Sequence, residues 1–134
     1  MTLLLQIVVV AVLGAAAMGL GSPLVSFVFR RIDRRERAEG VDRPSILAAG
    51  VMLRGGTWIG VLERLAIYAG ILAGFGEVIA VTLAVKALAR YPELRATSSA
   101  TAERFIIGTF VSVLFAAGCA GLALWLLSLV AGAT

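Results

Sequence analysis

The chain has 134 residues, of which 60% are hydrophobic, and its formal net charge is +4. So apolar a composition argues against a soluble fold, and the length leaves room for a single integral membrane domain over residues 1–134. The chain has no histidine and one cysteine, Cys119, which excludes a disulfide framework, a cysteine metal set and the commonest general base. We therefore expect no enzyme activity, no cofactor and no metal.

The first predicted element is an apolar helix over residues 3–29. It exceeds the roughly 20 residues needed to cross the hydrocarbon. A secretory signal is disfavoured because no basic residues precede the apolar run, and because the run outlasts the apolar region of such signals. We expect this segment to remain in the mature protein as a membrane span.

An arginine-rich stretch follows over residues 30–43. Six arginines alternate with four acids there, so helical pairs such as Asp33 with Arg37 neutralise much of the charge. The pattern favours a solvated helical extension that anchors the topology. Contact with lipid headgroups is the alternative, and nucleic-acid binding is disfavoured. The next segment, residues 44–54, is too short to cross and predicts an interfacial or re-entrant element.

The longest apolar stretch, residues 57–89, contains two glycines at Gly74 and Gly76 that permit a sharp reversal. We therefore predict an all-α, polytopic membrane protein with short loops, a central helical hairpin and about four transmembrane helices, at 3–29, 56–73, 76–90 and 104–131. The alternative is three helices, with one long span over 57–89. Basic residues near span ends favour the cytoplasmic side, so both basic loops are expected inside and both termini outside.

Small residues recur along one face of every predicted helix. Such seams let helix backbones approach closely in membranes, so we expect them to mediate helix packing and self-association. On the second helix the seam lies within about 40° of Glu63. The seams of the first and last helices are Ala11, Ala15 and Gly19, and Gly108, Ser112, Ala116 and Ala120. The glycines expected to pack helices are Gly56, Gly60, Gly70, Gly74 and Gly108.

Ionisable residues within the apolar stretch are the candidate functional groups, because a charge at that depth is costly unless it is paired or hydrated. They either line an ion path or pair with one another: Glu63, Arg64, Glu77 and Lys86. Hydroxyl groups that could support them are Thr57, Tyr68, Thr82, Thr109 and Ser112. With the reversal near Phe75, Glu63 and Lys86 lie about 12 and 11 residues from the turn, which predicts an ion pair across the hairpin.

Three strings carry a resemblance to a known group of proteins. They are GTWIGVLER at 56–64, KALARYPEL at 86–94 and ERFIIGTFVS at 103–112. The last part of the chain, about 80 residues, resembles small uncharacterised bacterial membrane proteins that share G-x-W-I-G-x-L-E-R, K-x-x-x-R-Y-x-E-L and E-x-x-x-I-G-T-x-x-S motifs. The resemblance implies a bacterial inner-membrane location and lends weight to Glu63, Arg64, Lys86, Arg90, Glu93, Gly108, Thr109 and Ser112 as a unit. It implies no reaction.

Two functions are consistent with these features. The first is a homo-oligomeric channel or transport protein whose path is lined by the Glu63 and Glu77 faces. The second is a non-catalytic accessory or scaffold subunit that packs its glycine seams against a larger membrane complex. The expected partners are the lipid bilayer, further copies of the chain and, for the second function, that larger complex; no nucleic-acid partner is expected.

Overall fold

The computed structural model describes residues 2–38, 56–96 and 99–132, and over these residues the chain is entirely helical apart from one turn. The four helices are α1 (Thr2–Ala38), α2 (Gly56–Leu72), α3 (Val78–Ala96) and α4 (Ser99–Gly132). The all-α class is confirmed. The predicted interfacial segment, residues 44–54, lies outside the described residues.

Three helices extend further than their predicted apolar spans. The helix α1 continues through the arginines to Ala38, α3 continues through Pro92 to Ala96, and α4 begins at Ser99. Hydropathy marks where the apolar part of a helix stops, whereas backbone hydrogen bonding continues into the polar residues beyond it. The helical extension predicted for the start of the arginine-rich stretch is present as far as Ala38.

A glycine reversal joins α2 to α3. Gly74 has φ +77°, a conformation that a residue with a Cβ rarely adopts. The Phe75 N–H donates to Gly70 O at 2.8 Å and the Gly74 N–H donates to Ile71 O at 3.0 Å, which is the hydrogen-bond pattern of a Schellman cap. The predicted reversal at Gly74 is therefore correct, and the alternative of one continuous helix over 57–89 is not what the chain forms.

The contacts between helices define an alternating up-and-down arrangement. Tyr68 packs at Gly14 and Arg64 packs at Gly21, so α1 and α2 run antiparallel. Arg104 pairs with Asp33 near one end of the bundle, while Ala120 packs near Ala17 further along, so α1 and α4 are also antiparallel. The turn between α2 and α3 consequently lies at the same end as residues 2 and 132, and the arginine-rich end of α1 lies at the other.

The core is formed by α1, α2 and α4, and α3 packs mainly against α2. One buried cluster joins all three core helices through Ala17, Tyr68, Cys119, Ala120 and Ala123. A second cluster, Ile67 with Val113 and Ala116, is covered in part by Ile79 and Leu83 of α3. Small side chains dominate the first cluster, which favours a close approach of the three core helices there.

Two of the helices are long and apolar enough to cross a membrane. They contain the segments Leu3–Arg35 and Ala102–Gly132, whose most apolar 18-residue windows have mean hydropathies of 2.5 and 2.3. The helix α2 has 17 residues, and the apolar part of α3, Val78–Ala89, is shorter still. The structure is therefore compatible with a membrane location, and the count of four spans stays a prediction.

Candidate functional site

A buried guanidinium connects the three core helices. Arg64 on α2 is only 3% exposed. Its Nη2 donates to the backbone O of Met18 at 3.0 Å and to Ser22 Oγ at 3.1 Å, both on α1, while its Nη1 donates to Ser112 Oγ on α4 at 3.3 Å. We call Arg64, Met18, Ser22 and Ser112 the Arg64 node. It ties α1, α2 and α4 together through a single side chain.

Glycine makes the space that the Arg64 side chain occupies. A Cβ placed on Gly21 would lie 2.5 Å from both Cδ and Nε of Arg64, so no larger residue fits there without displacing the side chain. A Cβ on Gly60, one helical turn before Arg64, would lie 3.4 Å from its Nη1. The Arg64 Nε is buried and has no hydrogen-bond partner among the described residues. The guanidinium is thus positioned by close packing against α1 as well as by its hydrogen bonds.

Alanine at Gly21 is expected to destabilise the bundle, although alanine is the better helix former by about 0.5–1 kcal/mol. The reason is the 2.5 Å approach, which would force Arg64 or α1 to move. Gly19, two residues earlier on the same helix, has nothing within 4 Å of its Cβ position and provides the matched control. Unfolding in detergent should show Gly21→Ala less stable than the parent and Gly19→Ala equal or more stable. The same response from both variants would contradict the packing argument.

Tyr68 extends the polar face of α2 by one further turn. Its hydroxyl donates to the backbone O of Val10 at 2.8 Å, and its ring packs where Gly14 leaves room, 3.1 Å from that residue's Cβ position. Tyr68 follows Arg64 by four residues, so both side chains lie on the same face of α2. Arg64 and Tyr68 therefore form the polar part of the contact between α2 and α1.

The predicted ion pair across the hairpin is present. Lys86 Nζ on α3 lies 2.6 Å from Glu63 Oε2 on α2, and the two side chains are only 19% and 12% exposed. The Lys86 ammonium also lies 5.6 Å from the centre of the Phe105 ring of α4. Glu63 and Arg64 are neighbours in sequence but project about 100° apart on a helix, and they engage different helices. The candidate charged residues thus form two separate sites.

The charges of these two sites do not balance. Glu63 and Lys86 neutralise each other, whereas Arg64 bonds only to hydroxyl and carbonyl oxygens within the described part of the chain. Together the three side chains carry one net positive charge near the middle of α2. Any ion that interacted with this region would therefore encounter a positive field.

The other predicted site residues lie away from this centre. Glu77 is exposed in the turn between α2 and α3, so the structure does not bring it together with Glu63. Thr109 is buried on α4 and Thr82 is half-buried on α3. The side chain of Thr57, and what surrounds Gly56, lie outside what the structure describes. Among the described residues no group of three or more carboxylate or cysteine side chains could hold a metal ion.

Three of the predicted packing glycines lie at contacts within one chain. A Cβ on Gly70 would lie 2.5 Å from Val78, one on Gly108 would lie 3.1 Å from the Phe29 ring, and Gly60 faces Arg64. Gly74 instead forms the turn between α2 and α3, and nothing lies within 4 Å of its Cβ position. The seam residues Ala11, Ala15 and Gly19 are all exposed.

Sequence reasoning missed the face of α1 that supports the site. That face consists of Val10, Gly14, Met18, Gly21 and Ser22. The available signal was the spacing of Gly14 and Gly21, which are seven residues apart and so lie two turns apart on one side of a helix. The regular four-residue spacing of Ala11, Ala15 and Gly19 is more conspicuous in the sequence, but it marks an adjoining side of α1, centred about 100° from Gly14, that is exposed.

Comparison with known proteins gives no assignment: no family model matches the chain, and neither a curated protein nor a solved structure shows significant similarity to it.

Proposed function

We propose that this chain is a multi-pass protein of the bacterial inner membrane, with its basic segments in the cytoplasm and both termini outside. Within the protein, only 11% and 28% of the most apolar windows of α1 and α4 are buried. The core helix of a soluble protein would be mostly buried, so this exposure supports a lipid environment. The basic end of α1 and residues Arg95 and Arg104 lie at one end of the bundle, in agreement with the positive-inside rule. The bacterial assignment rests on the sequence resemblance alone.

Within this setting, the function best supported is that of a non-catalytic accessory or scaffold subunit. The observation that carries it is the internal use of the polar groups: Arg64 binds α1 and α4, and Glu63 binds Lys86. The outward surface of the helices is correspondingly apolar. It includes Leu20, Phe27, Trp58, Leu62, Val85, Leu88, Phe110, Leu114 and Trp125. The charged groups thus hold the helices together, and the outer surface is apolar. This combination is expected of a protein that packs against lipid, further copies of itself or another membrane protein.

Ion flux through reconstituted liposomes tests this proposal. The scaffold reading predicts that liposomes containing the protein stay as tight as empty ones under K⁺, Na⁺, H⁺ and Cl⁻ gradients. The mass of the purified particle in mild detergent is expected to exceed that of one chain. A cation flux that disappears in the Glu63→Gln variant, while Glu77→Gln retains it, would contradict the scaffold function and support conduction past Glu63.

A homo-oligomeric transport protein is the second candidate, and the observation that favours it is the unbalanced charge of Arg64. A buried cation with only hydroxyl and carbonyl partners favours an anion over a cation as the transported species. This differs from the cation path expected from the carboxylates, because Glu63 is neutralised by Lys86 and Glu77 lies in the turn. A Cl⁻ flux lost in Arg64→Met but retained in Arg64→Lys would establish this candidate.

A further inference from the structure

We propose that one face of α1, formed by Arg31, Arg34 and Arg35, binds the phosphate of an anionic glycerophospholipid headgroup. The proposal rests on the membrane location argued above. These three arginines, together with Ile32, line an open cavity of about 510 Å³ at the end of α1. All four lining residues belong to one helix, so the cavity is an open groove on the surface of α1, and the charge around it is that of the three arginines.

The arginines share a face because of their spacing. Positions 31, 34 and 35 are related by three and four residues, so on a helix their side chains are neighbours. The Arg31 guanidinium lies 5.5 Å from the centre of the Phe27 ring, one turn closer to the apolar part of α1. Arginine binds phosphate through paired N–H groups, which makes such a face better suited to phosphate than a single lysine would be.

The nearby acid does not cancel this positive face. Asp33 Oδ1 lies 3.0 Å from Arg104 Nη1 of α4, so the Asp33 charge is already compensated by another helix. The near balance of charges in the sequence of this stretch therefore overstates how far the acid at position 33 offsets these arginines. Arg31, Arg34 and Arg35 keep a net positive charge on their own side.

The position of the face identifies the source of the phosphate. The apolar part of α1 ends at Phe29, so the arginines begin where lipid headgroups would lie. Phe27 is exposed and adjoins the face on its apolar side, where the acyl chains of a bound lipid would continue. Free phosphate would gain nothing from this continuity between charged and apolar surface. Basic clusters immediately beyond a span are a recognised pattern for binding anionic lipid.

The test is native mass spectrometry of the full chain released from nanodiscs that contain phosphatidylglycerol and phosphatidylcholine in equal amounts. The parent is expected to retain phosphatidylglycerol preferentially. The double variant Arg31→Gln with Arg34→Gln should lower that preference by more than the roughly thirty-fold expected from losing two surface charges alone, because the paired N–H donors to the phosphate are lost as well. The control is Arg95→Gln, which removes one charge at the same end of the bundle but lies on α3, and it should lower the preference by no more than about five-fold, the effect of one surface charge.

Three outcomes would overturn the proposal. The same loss per removed charge in the double variant and in Arg95→Gln would show diffuse attraction without a site. Displacement of the retained lipid by millimolar inorganic phosphate would show a site for free phosphate. Absence of any preference in the parent would show no site at all. Extraction of cell membranes with alkaline carbonate separates these failures from failure of the membrane proposal, because a protein that is not embedded is released by that treatment.

Discussion

Replacing Arg64 with methionine is expected to weaken the helix bundle by about 2–5 kcal/mol and, at the same time, to make membrane insertion of α2 easier. Arg64 makes three hydrogen bonds to two other helices. Interhelical hydrogen bonds in membranes contribute roughly 0.6–1.7 kcal/mol each, which gives the expected loss. Methionine fills a similar length but donates nothing, so α1 and α4 lose their common partner on α2.

Insertion should become easier because, in the proposed membrane location, it is judged on α2 before the helices assemble. A separate α2 in the bilayer would carry the Arg64 charge without Ser22, Ser112 and the Met18 carbonyl. Removing the charge lowers the free energy of inserting an isolated α2 by about 2.5–3.5 kcal/mol on translocon-derived scales. If Arg64 only impaired insertion, the Arg64→Met variant would insert more easily without any loss of bundle stability. The two effects together identify a side chain that assembles helices.

Two measurements on the same variants check this prediction. Unfolding in mixed micelles gives the stability of the bundle, and a glycosylation-mapping assay of α2 gives its insertion. Arg64→Lys keeps the charge but offers one compact donor group, so its stability should lie between those of the parent and Arg64→Met. If Arg64→Met unfolds no more easily than the parent, the Arg64 node does not stabilise the bundle.

Removing either charge from the Glu63–Lys86 pair is expected to cost roughly 3–5 kcal/mol, because the remaining charge stays buried without its partner. The two atoms are 2.6 Å apart and both side chains are largely buried. The double variant Glu63→Gln with Lys86→Met leaves no unpaired charge at this pair and should cost less than either single change. An exposed surface pair would contribute only about 0–1 kcal/mol.

Exchanging the two charges, Glu63→Lys with Lys86→Glu, should restore only part of the loss. The exchange re-forms the ion pair but places a lysine beside Arg64 on the same helix. The coupling energy from a double-mutant cycle quantifies the pair, and cysteines at positions 63 and 86 should crosslink within one subunit. If the stability losses of the two single variants are additive and the crosslink does not form, then position 63 of α2 does not lie beside position 86 of α3.

The hairpin and its ion pair could be predicted from the sequence because both depend on distance along the chain. Gly74 fixes where the chain reverses, and equal distances from that reversal bring Glu63 and Lys86 to one depth. The partners of Arg64 could not be found in this way. They depend on which side of α1 faces α2, and an apolar helix with small residues on several sides leaves that rotation undetermined until packing selects Gly14 and Gly21.

A seam of small residues is an ambiguous signal for the same reason. Gly60, Gly70 and Gly108 fit contacts within one chain, whereas Ala11, Ala15 and Gly19 are as regularly spaced but face outward. Spacing alone identifies a surface on which helices can approach closely. It does not tell whether the approaching helix belongs to the same chain, and only the three-dimensional packing distinguishes the two cases.

In the proposed membrane location, the short connection at residues 73–77 would constrain how α2 and α3 enter the bilayer during synthesis. The helix α2 carries Glu63 and Arg64, and each of these side chains opposes its partition into lipid while the helix is alone. Lys86 leaves the ribosome 23 residues after Glu63, when about half of α3 has been synthesised. We therefore expect α2 to remain at the protein-conducting channel until Lys86 emerges. The helices α2 and α3 would then enter the lipid together as a preformed hairpin. The length of nascent chain that has emerged would determine when this happens.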